Sequence, residues 1–338
     1  MDIREIARRA KVSHSTVSRV INNVPTVDAK LAKRVQAVIE EVGYRPNYQA
    51  RALARGRSHT VGLIVSEISG GNPFFAEIIL YFERCAVENG FEVLISFADT
   101  ETDPNHIAVC ADRLKERRVE GIAVLTFGME QSLHADSGKL PMVYAGADRQ
   151  LNGIRNIRVN YQTGFRDAVK HLAEFGHKRI GYLSGNLDWS SMQMRYEALR
   201  KAMRSAGLPL QKELVIECNH TLEGGAEGMA KLLSLPKPPT AVMCCNDMAG
   251  MGALKTMSTR SIVAGRDLSL IGFDDLPLCS FTQPSLTTIR FSPSELASLA
   301  FRALLEDIRQ DKVRHEYEYK TRFVLRDSTG APRVQTPR

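Results

Sequence analysis

Short apolar runs alternate with amphipathic helical segments over most of this chain. Beginning at Thr60, the runs TVGLIVSEI, FEVLISFAD, GIAVLTF and MVYAGA alternate with helical periodicity over 75–89 and 104–117. Apolar runs of this length between helices are typical of strands that are covered on both faces of a parallel sheet. The alternation therefore predicts an α/β body with helices on both faces of parallel sheets.

The same alternation restarts after Asn160. Helical patterns over 162–175, 193–206, 223–234 and 247–259 now separate the runs KRIGYLSG, LVIECN, AVMCCN and LSLIGFD. Two such series predict two doubly wound subdomains. A ligand crevice is expected outside the carboxyl ends of their strands.

The basic residues in excess are confined to the N-terminus. The first 57 residues hold 12 Lys and Arg against 5 Asp and Glu, a net charge of +7. The whole chain of 338 residues is also +7, so the remainder is neutral. A small basic block attached to a neutral body favours a polyanionic partner, most commonly a nucleic acid.

This basic block is patterned as three helices. Asp2 and Glu5 have capping-box spacing, Ser13 and Asp28 precede the second and third helices, and Gly43 ends the third. The apolar stripes are Ile3, Ile6, Ala7 and Ala10, then Val17, Val20 and Ile21, then Leu31, Val35, Val38, Ile39 and Val42. Two short helices joined by about three residues, followed by a longer one, form a helix-turn-helix arrangement.

The second of these helices leaves a polar face for DNA. Its apolar residues hold it to its own domain, so Ser13, His14, Ser15, Thr16, Ser18 and Arg19 are predicted to face the duplex. Short hydroxyl side chains allow close approach to phosphates, and arginine pairs with the O6/N7 edge of guanine. We expect an all-α, DNA-binding headpiece before the α/β body.

The segment IREIARRAKVSHSTVSRVINN, with the later VGYRPNYQARALARG, resembles the DNA-binding headpiece of the lac repressor/gal repressor family of bacterial regulators. The resemblance continues through NPFFAEII, GHKRIGYLSG, PPTAVMCCND, LSLIGFDD and PSLTTI, and covers nearly the whole chain. It implies a periplasmic-binding-protein-like body whose chain crosses between subdomains near 160, 290 and 320. The first subdomain would comprise about 60–160 and 291–320, and the second about 161–290 and 321–330.

Residues 47–54 have a helical pattern with Ala50 and Leu53 on one side. Eight residues are too few for a stable isolated helix, so this segment needs a partner to order it. The resemblance implies a hinge helix that pairs with its twin from a second subunit and inserts Leu53 into the minor groove. Asn22, Tyr44, Asn47 and Ala50 complete the predicted DNA-binding set. The headpiece with its hinge is expected to span 1–57, and the body 60–338.

Polar residues at the strand ends are the candidates for a small-molecule site. Asp and Arg side chains opposed across a cleft bind hydroxyl-rich ligands through charge-assisted hydrogen bonds, and an aromatic ring stacks on an apolar sugar face. The residues predicted to contact the effector are Phe74, Phe75, Asn160, Trp189, Arg195, His220, Asn246 and Asp274. Arg195, Asn246 and Asp274 match effector positions of sugar-responsive family members. Asn160 replaces a frequent Asp, and His220 stands where a purine-binding member has a stacking aromatic.

Not every strand-end carboxylate is assigned to the ligand. Asp247 and Asp275 are interpreted as polar caps on the elements that follow. The vicinal Cys244 and Cys245 are interpreted as part of a strand through a core, and the six cysteines as reduced.

Enzymatic signatures are missing from the sequence. It contains no GxSxG or HExxH, and Leu133 stands where a phosphate-binding loop ending in Gly138–Lys139 requires glycine. We expect no cofactor and no metal. Two other functions remain as alternatives: an exported solute-capture protein, which the headpiece disfavours, and a sugar-processing enzyme fused to a DNA-binding domain.

The expected protein is a cytoplasmic transcriptional regulator, without a membrane segment, that acts as a homodimer. Its partners would be double-stranded operator DNA and a small effector, a sugar or a nucleoside-like metabolite. A dimer face is expected around helix 75–89. A tetramer is not expected, because the C-terminal STGAPRVQTPR has no leucine heptads.

Overall fold

The computed structural model describes residues 3–21, 26–44, 57–66, 72–99, 103, 105–126, 140–146, 154–311 and 316–333. The chain divides into two compact units, Met1–Ser58 and His59–Arg338. Helices and strands are numbered below along the chain.

The first unit is a three-helix bundle. It contains α1 (Ile3–Arg9), α2 (His14–Ile21) and α3 (Ala29–Glu41). Its most deeply buried side chains are Ile6, Ala10, Val17 and Val35. Asp28 caps α3 by accepting the backbone N–H groups of Lys30 and Leu31 at 3.0 and 3.1 Å, which satisfies donors that the helix itself leaves unpaired.

The first sheet of the second unit has the strand order β11–β5–β4–β3–β1–β2, with every neighbouring pair parallel. Its strands are β1 (Thr60–Ser66), β2 (Glu92–Ala98), β3 (Ile122–Leu125), β4 (Met142–Ala145), β5 (Arg155–Asn160) and β11 (Glu318–Lys320). The helices packed with these strands are α4 (Pro73–Glu88), α5 (His106–Glu116) and α10 (Pro293–Arg309). All of β1 is buried, as expected of a strand covered on both faces, whereas β2 is an edge strand with exposed side chains.

The second sheet has the order β12–β10–β9–β8–β6–β7, parallel except for the antiparallel β10–β12 pair. Its strands are β6 (Ile180–Ser184), β7 (Val215–Glu217), β8 (Ala241–Cys244), β9 (Ser269–Asp274), β10 (Thr287–Arg290) and β12 (Arg322–Val324). Its helices are α6 (Gln162–Glu174), α7 (Ser190–Ser205), α8 (Leu222–Leu233) and α9 (Asp247–Thr259). The two sheets form the α/β body that the alternating pattern predicts.

Three short connections join the two sheets. The chain leaves the first sheet after β5, returns to it after β10, and enters the second sheet again between β11 and β12. The first and third connections are hydrogen-bonded, because Thr321 donates its N–H and its hydroxyl to the Asn160 carbonyl at 3.1 and 3.0 Å. In the second connection, Phe291 is fully buried and its ring centroid lies 6.0 Å from that of Tyr161.

Helix boundaries differ from the sequence predictions by up to three residues. α4 begins at Pro73 rather than 75, because the Asn72 side chain accepts the Phe74 N–H and Pro73 suits the first helical turn. α7 begins at Ser190 rather than 193. Its first turn adds Ser190, Ser191 and the buried Met192, and the two serines interrupt the apolar pattern from which the start is predicted.

Candidate functional site

Helix α2 presents polar side chains on the surface of the first unit. Val17 and Val20 are buried beneath it. His14, Ser15 and Arg19 are exposed, and Thr16 and Ser18 are half-buried. The helix therefore has the form required for major-groove docking, with an apolar side toward the core and hydrogen-bonding groups outside.

Local hydrogen bonds define the start of α2. The Thr16 N–H donates to Ser13 Oγ at 3.1 Å, and the Ser13 hydroxyl lies 2.8 Å from that of Ser15. Ser13 thus caps the helix. Tyr44 is half-buried and packs against the bundle core. Asn22, Asn47, Ala50 and Leu53 lie outside the described residues.

Arginines of the first unit differ in their partners. Arg8 Nη2 and Arg9 Nε lie 2.6 and 2.9 Å from Glu5 Oε1, and their hydrogen bonds lower the pKa of Glu5 to about 2. The ionised Glu5 therefore offsets part of the charge on α1. Arg19 has no ion pair within the described part of the chain, so its guanidinium is available on the face of α2.

In the second unit, Arg195 lies over a floor of aromatic rings. Its guanidinium carbon is 3.9 Å from the Phe273 ring centroid, 5.4 Å from Tyr161 and 5.7 Å from Phe291. Arg195 is only 4% exposed. Contact with the ring faces stabilises the cation by cation–π attraction in this partly desolvated place.

The polar contacts of Arg195 are incomplete. Nη1 donates to the Cys245 carbonyl at 2.8 Å, but Nε is buried and has no hydrogen-bond partner among the described residues. A buried guanidinium N–H without a partner is costly, so such groups usually meet water or a ligand.

Asp274 stands at the end of β9, next to the aromatic floor. The residue is 4% exposed, and its carboxyl has no hydrogen bond or ion pair within the described ranges. Burial raises its pKa well above the ordinary value, the nearby charge of Asp247 adds to this rise, and Arg195 opposes it. Its backbone has a φ of +116°, which L-residues rarely adopt. A residue with a strained backbone and a carboxyl that has no partner in the described ranges is a candidate for ligand binding.

The neighbouring carboxylates are engaged by the protein itself. Asp247 accepts the Leu276 N–H at 2.8 Å and the Thr288 hydroxyl at 2.6 Å, and burial raises its pKa to about 6. Asp275 forms 2.6 Å ion pairs with Arg290 and Arg326. Both carboxylates hold strands and loops together, although neither makes the helix cap that was expected.

Asn246 makes that cap instead. Its Oδ1 accepts the Ala249 N–H at 2.8 Å, while its Nδ2 donates to the His220 carbonyl at 2.8 Å. Both ends of the amide are thus committed within the protein. In this structure Asn246 holds α9 and the His220 loop in place.

Trp189 and His220 form a parallel ring stack, with centroids 5.0 Å apart and planes 7° apart. His220 adopts a left-handed conformation with a φ of +62°, and its Nε2 lies 3.2 Å from Met192 Sδ. Burial, with the charge of Arg195, lowers the pKa of His220 to about 4, so the imidazole is neutral at physiological pH. A Cβ atom at Gly185 would overlap this ring, which explains the glycine.

A pocket of about 470 Å³ opens beside the stack. Besides Trp189 and His220, its lining includes Asn186, Glu217, Asn219 and Lys231. An aromatic wall with amide and charged groups suits a polar small molecule.

Three predicted residues lie at the junction between the sheets. Phe74 stacks on Phe291 with ring centroids 5.4 Å apart and meets Phe75 edge to face. The Asn160 amide lies 3.5 Å from Glu318 Oε1, on β11. Asn160 lies at the first connection between the sheets, and Phe74 packs against Phe291 in the second. Both connections would deform if the two subdomains moved.

Sequence reasoning missed the aromatic floor itself. Tyr161, Phe273 and Phe291 each stand next to a predicted polar residue or a predicted crossing. Their position in the chain could have marked them as candidates for the site. Only the sheet order shows that their rings converge beneath Arg195.

Comparison with known proteins agrees with both units. Residues 2–47 match the family described as bacterial regulatory proteins, lacI family, and residues 169–329 match the periplasmic binding protein-like domain. The HTH-type transcriptional repressor PurR of Actinobacillus pleuropneumoniae serotype 3 (strain JL03) is 34% identical over 331 residues, which cover 96% of this chain and 97% of PurR. The chain belongs to the LacI family.

Solved LacI-type structures share its fold. The lac repressor dimer bound to operator and the anti-inducer ONPF superposes with a TM-score of 0.89 at 25% identity, covering 98% of this chain and 99% of that one. The complex of the transcriptional regulator CelR with cellobiose gives 0.70 at 25% identity, covering 97% and 99%. This LacI-family protein is a DNA-binding transcriptional regulator, and the relatives it matches are regulators rather than enzymes.

No helix in the described ranges is long and apolar enough to cross a membrane. Within the same ranges, no group of three or more His, Cys, Asp or Glu residues is arranged to hold a metal ion.

Proposed function

We propose that this LacI-family protein is a homodimeric repressor of the cytoplasm whose operator affinity is set by a small hydroxyl-rich effector. Two copies of α2 read the two halves of a roughly palindromic operator. Residues 1–57 serve as the DNA-binding domain and hinge. Residues 60–338 serve as the effector-binding and dimerisation domain, divided between the two sheets at 160, 290 and 320.

The observation that carries the effector site is the pair Arg195 and Asp274. Each residue is 4% exposed, Arg195 Nε is buried without a hydrogen-bond partner, and the Asp274 carboxyl forms no ion pair with Arg195 in the described part of the protein. A ligand hydroxyl can donate to the Asp274 carboxylate while a neighbouring oxygen accepts from Arg195. The hydrogen bond from the Arg195 guanidinium is charge-assisted, and the Asp274 carboxyl can accept from a hydroxyl in either protonation state.

The aromatic surroundings favour a sugar or a nucleoside-like effector. The Trp189–His220 stack offers a flat, neutral surface beside polar groups. Such a surface packs against an apolar sugar face or a base. The cellobiose complex of the related CelR supports a sugar. Phe74, Phe75 and Asn160 would complete the contacts from the first subdomain.

Coupling to DNA would run through residues 47–54, which lie outside the described ranges. The effector biases the two subdomains, the hinge spacing changes, and operator affinity changes with it, so the two ligands are thermodynamically linked. Insertion of Leu53 into the minor groove stays a prediction. An exported capture protein and a fused sugar-processing enzyme are not favoured, because the matching relatives are named as repressors.

The experiment begins with an operator selected from random duplexes by the purified full-length protein. Its dissociation constant is then measured by fluorescence anisotropy in the presence of each member of a panel of sugars and nucleosides. Isothermal calorimetry on the same panel reports effector binding directly, and chromatography of the incubated compound reports turnover.

We expect the compounds of one chemical class in the panel to bind the protein and to change its affinity for the operator. Chromatography should recover these compounds unchanged after incubation. If the protein selected no preferred sequence from the random duplexes, that result would contradict operator binding. Conversion of the bound compound would support the fused enzyme instead. A compound that binds at full strength after Asp274→Asn substitution would place the effector elsewhere.

A further inference from the structure

Buried polar atoms without a hydrogen-bond partner in the described part of the chain are concentrated around Arg195. They are Arg195 Nε and the hydroxyl oxygens of Tyr161, Tyr182 and Ser184. Tyr161 belongs to the aromatic floor, whereas Tyr182 and Ser184 lie on β6. A buried polar group is costly unless it is paired, and its partner in native proteins is the protein itself or ordered water.

Tyr182 and Ser184 share the face of β6 that α7 covers. They are two residues apart in a strand, so their side chains point to the same side of the sheet. The Tyr182 ring stacks on the ring of Tyr196, in α7, with centroids 6.3 Å apart. Burial raises the pKa of Tyr182, and the charge of Arg195, the residue before Tyr196, opposes this rise. The Tyr182 hydroxyl therefore lies on the side of β6 from which Arg195 extends.

The Arg195 guanidinium reaches the end of the sheet beside Ser184. Its Nη1 donates to the Cys245 carbonyl at 2.8 Å, and the Cys245 N–H donates to the Leu183 carbonyl at 2.7 Å. Leu183 pairs with Cys244, so Ser184 and Cys245 follow as the next neighbours on β6 and β8. Since neighbouring strands are about 4.8 Å apart, the guanidinium is bound one strand away from Ser184.

The three groups do not bond directly to one another. No hydrogen bond joins Arg195 Nε, Tyr182 Oη and Ser184 Oγ within the described ranges. Bulk solvent does not satisfy them either, because Tyr182 is 1% exposed, Ser184 0% and Arg195 4%. A buried water molecule typically makes about three hydrogen bonds, and it commonly bridges polar groups that are too far apart to bond directly.

We infer that Arg195, Tyr182 and Ser184 enclose a hydration site, in which bound water bridges the three side chains and fixes the guanidinium. Arg195 Nε donates to the water, and the water donates to the two hydroxyl oxygens. These roles match the groups, because a guanidinium only donates whereas a hydroxyl also accepts.

Tyr182 and Ser184 are thus positioning residues. They act on the effector only through Arg195, and this step rests on the proposed function, in which Arg195 binds the effector. The hydration site itself does not depend on that function, because it is formed by the protein alone.

The first test needs no effector. A crystal structure of the full-length protein, at a resolution that shows ordered water, is compared with that of Tyr182→Phe. In the wild type, we expect a water oxygen within about 3.2 Å of Arg195 Nε and of at least one of the two hydroxyls. In Tyr182→Phe, the Arg195 side chain should occupy more than one rotamer. A wild-type Arg195 Nε without a water neighbour would overturn the hydration site.

Thermal unfolding separates a hydroxyl that binds water from one that binds nothing. Removal of an unpaired buried hydroxyl relieves a penalty and raises the thermal midpoint, whereas removal of a water-bonded one lowers it. We therefore expect a lower midpoint for Tyr182→Phe. Tyr196→Phe is the matched control, since it removes a hydroxyl from the ring stacked on Tyr182, and its midpoint should not change. A raised midpoint for Tyr182→Phe would contradict the bound water.

The positioning role is measured with the panel compound, sugar or nucleoside, that binds the wild type most tightly. Its affinity, measured by calorimetry, should fall about three- to tenfold in Tyr182→Phe and in Ser184→Ala, and should not change in Tyr196→Phe. Full affinity in both variants with a lowered midpoint would make Tyr182 and Ser184 merely structural. If no panel compound binds the wild type, the proposed function fails, while the crystal structure and the thermal midpoint still decide the hydration site.

Discussion

At the scale of single residues, function is concentrated where the protein leaves polar groups unused. Asp247 and Asp275 are fully engaged with Thr288, Arg290 and other neighbours. Asp274, adjacent to Asp275 in sequence, has no such partner in the described ranges. In this cleft, the presence or absence of hydrogen bonds within the protein therefore separates a structural carboxylate from a candidate binding carboxylate. Position in the chain does not separate them.

Arg19→Ala should cost about 1–3 kcal/mol of operator binding and relax base preference at one position per half-site, because an arginine that pairs with a guanine edge carries sequence information. Lys33→Ala, on α3, is the charge-matched control because its side chain is also exposed. It should weaken all duplexes alike and lower the salt slope. Repeated operator selection with each variant makes the comparison, and an unchanged preference for Arg19→Ala would remove Arg19 from the base-reading set.

Asp274→Asn should weaken effector binding by roughly 1–3 kcal/mol, as expected when one partner of a charge-assisted hydrogen bond is lost. Its thermal midpoint should stay the same or rise, because a buried carboxyl without a partner does not stabilise the apo fold. Calorimetry and thermal unfolding are measured together, with Asp311→Asn, at an exposed position, as control. A clear drop in midpoint with intact effector affinity would make Asp274 a structural residue.

At the scale of elements, polar caps and glycines decide where helices begin and how closely they pack. Ser13, Asp28, Asn72 and Asn246 each accept a backbone N–H at the start of a helix. Helices α8 and α9 approach closely because a Cβ atom at Gly225 would overlap the Ala249 backbone, and one at Gly252 the Leu222 carbonyl. This contact fixes the loop before α8, which carries His220.

Gly252→Ala should therefore lower the free energy of unfolding by about 1–3 kcal/mol, because the new methyl group overlaps backbone that cannot move without shifting α8. Gly228→Ala on α8 is the matched control. Its methyl group would meet only the Leu183 side-chain tip at 2.8 Å, and the gain in helix propensity of about 1 kcal/mol offsets that contact. Urea unfolding gives both values, and equal losses would show that the helix contact is not the cause.

At the scale of the whole molecule, the first sheet has exposed apolar side chains at the edge formed by α4 and β2. Leu80 on α4 is 53% exposed, and Phe97 on the edge strand β2 is 47% exposed, with Leu94 and Ile95 exposed beside it. α4 and β2 are in contact, and Ile95 and Phe97 share one face of β2 whereas Leu94 lies on the other. A second copy of the chain is the occupant that the proposed homodimer requires.

Leu80→Glu should convert the dimer to a monomer, because a carboxylate would be buried in an apolar contact. Sedimentation velocity measures the mass, with the equally exposed Leu325→Glu on the second subdomain as control. Operator affinity should fall by about 10²-fold or more once the two headpieces are no longer linked. A Leu80→Glu variant that remains dimeric would place the interface on another surface.

The sequence by itself determined the features that depend on local spacing. Period and capping predicted the three helices of the first unit and the outward face of α2, and alternation of strand and helix predicted two parallel-sheet subdomains. Chain position also placed Asn246 and Asp274 at strand ends and Arg195 in the helix that follows β6.

Only the tertiary structure decided which of those side chains are used and what surrounds them. Asn246 rather than Asp247 caps α9, and Arg195 lies over Phe273, which is far from it in sequence. Trp189 stacks on His220, and Cys218 reaches Cys245 across β6. Such contacts follow from sheet order and loop geometry. Spacing along one strand or helix fixes only which face a side chain occupies, and it carries no information about which distant element will be packed against that face.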